Sequence, residues 1–109
     1  MGRLCITEYE RMAEVSGGFR VSVGVEPAHA IQNIAFTATA AASVNFSVRT
    51  RFVRIEILST TAAADILFGA APTAVAGSGT RLTNGQTEYF GCDPAAVTAG
   101  LKVSAVEGT

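Results

Sequence analysis

The sequence has no tryptophan, one histidine and two cysteines in 109 residues. Each scarcity removes a class of chemistry. His29 stands beside Pro27 in a turn-like stretch, and a hydrolytic triad needs its imidazole held between a nucleophile and an orienting acid. Serine and threonine are plentiful, but no G-x-S-x-G elbow is present, and the carboxylates are too scattered to form an acid/base pair. Gly77-Ser78-Gly79 lacks the lysine and following helix of a phosphate-binding loop. Cys5 and Cys92 lie far apart and make neither a C-x-x-C motif nor a zinc spacing. Free thiols are expected for both, a disulfide tying the N-terminus to a late strand being the alternative. No catalytic residue, metal ligand, cofactor or small-molecule substrate is assigned.

Charge is sparse as well. Charged residues make up 16% of the chain and the formal net charge is −1, so no basic field exists to hold nucleic acid. No apolar run approaches the length of a membrane span. The first fifteen residues are interrupted by Glu8, Glu10, Arg11 and Glu14, which does not suit the apolar core of a signal peptide. Synthesis in the cytoplasm without secretion is expected. The hydrophobic fraction is 49%, but much of it is alanine, so the core must come from sparser Val, Ile, Leu and Phe in a single domain. Low charge with many small residues fits a surface partly covered by a partner, and equally an ordinary β-protein.

What is present is alternation. Val53, Ile55 and Ile57 share one parity, and Arg54 and Glu56 the other, the mark of a strand with one buried face. Ile66 and Phe68 repeat the pattern with Asp65 opposed, and Ser59–Ala64 between them reads as a turn. Phe19 to Val25 alternates up to the Glu26-Pro27 stop. Ile34, Phe36 and Ala38 fall on one face, and after an Ala-Ala-Ala-Ser turn Val44, Phe46 and Val48 are expected inward. Ala70–Thr80 reads as a loop. Asn84-Gly85 suits a type I′ hairpin joining Arg81–Thr83 to the strand containing Tyr89 and Phe90. After Asp93-Pro94 and an Ala/Thr stretch, Leu101, Val103 and Ala105 alternate in a last strand. Short strands at this spacing specify an all-β fold, an antiparallel β-sandwich of jelly-roll type, over residues 19–109.

Residues 1–18 are expected to form an N-terminal arm that orders against another subunit. Thr7 and Glu10 have the spacing of a capping box for a short helix, ended by Gly17-Gly18, and an extended segment is the competitor. Candidate partner-binding residues are Tyr9 and Arg11 from the arm, Arg49, Arg51 and Arg54 around the central strand, and Tyr89. The arginines are either a solvated edge that discourages strand pairing or an anchor for acidic groups, which guanidinium forks bind two-pronged. Tyr89 and Phe90 point to opposite faces, and the tyrosine suits the half-wet one.

The segments TRFVRIEI, ADILFGAAPTA, LTNGQTEYFG and LKVSAV, with ITEYERMA and VEPAHAIQ before them, resemble a set of small proteins encoded among the head genes of tailed bacteriophages. The F-G-x-x-P-T-A and E-Y-F-G pieces are the most specific, and the Ala/Thr-rich insert between Asp93 and Gly100 departs from the pattern. The resemblance implies a virion structural protein on the capsid exterior, a cement or decoration protein whose partner is the major capsid protein. It leaves two rivals, a head–tail or tail component and a carbohydrate-binding β-sandwich. A homo-oligomer, with a trimer favoured, is expected to use Ala70–Ala76, Ala95–Ala99 and Tyr89 as self-contacts. The alternative is that both stretches are linkers of small residues.

Overall fold

Strong alternation around Val53 builds the strand on which the largest part of the molecule pairs. A computed structural model describes residues 2–14, 20–24, 27, 28, 30–60 and 62–108. In chain order the elements are β1 (Gly2–Tyr9), β2 (Met12–Glu14), β3 (Arg20–Gly24), β4 (Ala30–Phe36), β5 (Ala41–Ala42), β6 (Phe52–Ser59), β7 (Ala64–Gly69), β8 (Thr80–Leu82), β9 (Thr87–Gly91), α1 (Pro94–Thr98) and β10 (Lys102–Glu107). They form two four-stranded antiparallel sheets, ordered β4-β1-β6-β9 and β5-β10-β7-β8, and a separate β2-β3 pair. The expected all-β class holds.

One core lies between the two sheets. The first sheet supplies Leu4, Ile6, Ile34, Phe36, Val53, Ile55 and Ile57, and the second supplies Ala64, Ile66, Leu82, Val103 and Ala105, all within one buried cluster. Register explains the fit, since Ile34, Leu4 and Ile57 stand in one row across three strands. Gly2 is required because a β-carbon there would strike the Phe36 ring. The links β4–β5, β5–β6, β6–β7, β8–β9 and β9–β10 each pass from one sheet to the other, whereas β7–β8 stays within the second.

Several expectations are corrected. Residues 2–9 are not an arm outside the core. They form an inner strand of the first sheet, paired with β4 on one side and β6 on the other. Leu4 and Ile6 are fully buried, which draws this segment into the ladder rather than into a capped helix. Met12–Glu14 pairs with Arg20–Gly24, and the Gly17-Gly18 stop, Phe19, Val25, Glu26 and His29 lie outside the described residues.

Residues 43–50 are not a strand. Phe46 is buried as expected, but Val44 and Val48 are 69% and 66% exposed. This segment bridges the sheets, so period-two alternation does not govern it. Ala38 is likewise exposed, beyond the end of β4.

The Asn84-Gly85 turn does not close a hairpin. β8 pairs with β7 and β9 with β6, in different sheets. Gly85 has φ 80° while no other residue type has positive φ among the described residues. With Gln86 N–H on the Thr83 carbonyl at 3.0 Å, the second central position alone is left-handed, which is the requirement of a type II turn rather than I′.

The Ala/Thr insert holds a one-turn helix. Asp93 caps α1 through the Ala95 N–H and Pro94 opens it. Gly100, at φ 98°, closes it, with Gly100 N–H on Val97 O and Leu101 N–H on Ala96 O, the paired bonds of a Schellman ending. The helix buries Val97 against the core.

Candidate partner-binding surface

The outer face of the first sheet carries an aromatic row that strand register dictates. Tyr9 on β1 stands opposite Phe52 on β6, their rings stacked with centroids 5.2 Å apart and 17° between planes. Tyr89 on β9, in register with Arg54 rather than Phe52, reaches diagonally to within 6.0 Å of the Phe52 ring centre. Arg54 lies between Thr7 and Tyr89 in register, donates to the Thr7 hydroxyl at 3.4 Å, and places its guanidinium 6.0 Å from the Tyr9 ring centre. Cation–π attraction at such a half-exposed site is worth about 0.5–1 kcal/mol.

The segment from Ser43 to Arg51 is fastened beside this row by one buried carboxylate. Glu8 is 1% exposed and accepts from the Thr50 hydroxyl at 2.7 Å, the Ser47 N–H at 2.8 Å and the Gln32 amide at 3.1 Å. The Gln32 amide also receives the Val44 N–H at 3.1 Å. Three donors of this kind offset the cost of burying a carboxylate. Sequence reading missed Glu8, although the parity of Gly2, Leu4 and Ile6 points it inward and a buried acid demands donors.

The six residues singled out from sequence do gather at this end of the first sheet, but they are not equivalent. Tyr9 is 1% exposed, so its ring supports the row and offers no contact surface. Arg49 is engaged within the chain, its Nε and Nη2 donating to Glu10 at 2.7 and 3.0 Å. That two-pronged bond and the Glu10 charge push the Arg49 guanidinium further up from its ordinary value. Arg51 is exposed and, among the described residues, its side chain donates to backbone carbonyls alone, Val48 O at 3.1 Å and Thr50 O at 3.3 Å. Arg11 is exposed, and Arg54 and Tyr89 are half-buried. The exposed cations among the six are therefore Arg11, Arg51 and the ion-paired Arg49.

On the opposite side of the sandwich, Ala70–Gly79 folds back as a strap over the second sheet. Ala74 N–H donates to the Ser104 hydroxyl at 3.0 Å, Gly77 N–H to Asp65 at 2.8 Å, and Lys102 Nζ to Ala70 O at 2.6 Å. Asp65 is 1% exposed and also accepts from Arg81 at 3.3 Å. Burial works to raise its carboxyl, but the Arg81 guanidinium and the Gly77 amide outweigh it and hold the group below its ordinary range. Ala74 is buried, so Ala70–Ala76 is committed in part to this sheet and is not wholly a surface for self-contact.

Both cysteines are free. Burial and the neighbouring Glu8 push the Cys92 thiol up to about 11, which leaves it a packing group rather than a nucleophile. Among the described residues, no group of three His, Cys, Asp or Glu is placed to hold a metal. Comparison with protein-family models, with curated proteins and with solved structures finds no match.

Proposed function

We propose that the chain is a bacteriophage capsid cement or decoration protein, which binds the outside of the head and stabilises contacts between major capsid protein subunits. One observation carries this reading. The two most specific pieces of the resemblance meet in space, Phe68 of F-G-x-x-P-T-A lying 5.2 Å from Phe90 of E-Y-F-G. The likeness therefore falls on one packed unit instead of on separated patches.

Strand order adds support. Counted from β4, the sandwich strands occupy sheets in the order first-eighth-third-sixth and second-seventh-fourth-fifth, provided β1 takes the eighth place. A jelly-roll reading, the architecture of viral capsid and lectin domains, calls for that order. The fold supports the function only by analogy. The chemistry is compatible: a shell under pressure is reinforced by added contact area, and many symmetric copies multiply a weak contact. Acidic groups on the shell would meet Arg11, Arg51 and Arg54, and a homo-oligomer, a trimer by preference, would match a local threefold.

Purified protein added to heads that lack it is expected to appear as density on the outer shell by cryo-electron microscopy. Arg11→Glu with Arg51→Glu is expected to lower occupancy roughly tenfold, by replacing attraction with like-charge repulsion. Density confined to the tail vertex would favour a head–tail component, and no density on any part of the particle would overturn the reading.

A further inference from the structure

The two sheets finish their edges differently. The second ends in β5, of two residues, and β8, of three, and strands that short are a common protection against edge pairing. The first ends in β4, of seven residues, and β9, of five. β4 reads AIQNIAF and carries no charge, proline or glycine, hence none of the usual edge guards.

Both long edges are open among the described residues. β4 pairs only with β1 and β9 only with β6, and no other backbone–backbone hydrogen bond reaches residues 30–36 or 87–91. In an antiparallel ladder alternate residues direct their N–H and C=O to opposite sides, so part of each strand's backbone faces outward. Ile31, on β4, is 62% exposed, and Val44, held by the amide of the adjacent Gln32, is exposed too.

Direction and charge identify the occupant. Each neighbouring pair in the first sheet is antiparallel, so with four strands β4 and β9 run in opposite senses. Rotation about an axis along the strands preserves those senses, which brings β9 of a second copy antiparallel to β4 of the first. Glu88 is the one charge on either edge. Pairing β9 with β9 would put both Glu88 charges on one seam and leave β4 open, and pairing β4 with β4 would leave β9 open. Head-to-tail pairing uses both edges.

We propose that copies of this chain join edge to edge, β4 of one pairing with β9 of the next, into a closed ring. Contacts of this heterologous kind close when the rotation between copies divides a full turn. The seam covers Ile31 and runs past Tyr89, and it does not depend on any capsid being bound.

The test uses the purified chain and two blocking variants. Ile31→Lys places a charge on the β4 edge. Gly91→Lys does so on β9, where a β-carbon at Gly91 would meet no atom within 4 Å in its own protomer. Wild type is expected to sediment as a ring of three or more copies, and each variant alone as a monomer with wild-type circular dichroism. An equimolar mixture is expected to form only heterodimers, since one unblocked β4 and one unblocked β9 remain. Gly91→Lys dimerising on its own would mean β4–β4 pairing and overturn the proposal, as would monomeric wild type at micromolar concentration. Should a variant misfold, amide exchange of the wild type decides. Exchange at both 30–36 and 87–91 is expected to slow about tenfold on concentration, and unchanged exchange at either strand refutes the seam.

Discussion

Asp65 joins β7, the strap and β8 through one carboxylate, and its protonation state should be felt in all three. Its folded value is depressed, so its stabilisation is fully present above the unfolded value and is lost as pH falls through the folded one. Chemical denaturation at pH 7 and again near pH 3 is expected to show a loss in wild type that Asp65→Asn shows less strongly. Asp65→Ala leaves the Gly77 N–H without its acceptor and should cost about 1–3 kcal/mol at neutral pH. An Asp65→Ala melt matching wild type would mean the strap is held elsewhere. Asp65 was legible as a strand residue but not as a buried one, because alternation assigns it to a wet face and cannot foresee a loop returning over that face. The burial of Tyr9, expected at a partner contact, was missed for a related reason, since it involves neighbours on other strands such as Phe52.

At the level of elements, what could be read depended on whether a segment's own pattern matched its ladder. β6 and β10 were plain from alternation, and the cap of α1 was written in Asp93, Pro94 and Gly100, although alanine-rich composition disguised it. The segment from Ser43 to Arg51 misled because three apolar residues at alternate positions, Val44, Phe46 and Val48, imitate a strand where only the middle one is buried. That segment is pinned by the Glu8 acceptor and by the Phe46 ring, set edge-on to Phe68 at 6.4 Å. Phe46→Ala should therefore cost about 3–5 kcal/mol, as buried aromatic truncations do, measured by denaturant titration. A loss under about 1 kcal/mol would place the anchor on Glu8 alone. β1 was obscured by its polar residues, Thr7 and Glu8, which are both buried and whose partners are distant in sequence.

For the whole molecule, the fold class followed from many short alternating runs, but the pairing order did not, because nearly every link crosses between sheets and the contacts are non-local. The Ala74 position shows the practical consequence: a charge there would strike the fold before any interface, so it cannot probe assembly. A different consequence follows from β1 pairing with β4. Gly2 pairs with Phe36, and the Glu107 N–H bonds to the next residue's carbonyl, Thr37 O, at 2.8 Å. The two ends of the sandwich thus meet at one corner, within reach of a linker of about six residues at roughly 3.3 Å each. Topologically the sandwich is a loop of chain opened at one point, and the opening can be moved. A circular permutant that joins Gly108 to Gly2 and begins at Pro27 should keep the wild-type strand signature and cooperative melt, whereas simple removal of residues 2–9 should leave the chain unfolded. A permutant that fails to fold while the deletion survives would show that the sandwich closes without β1.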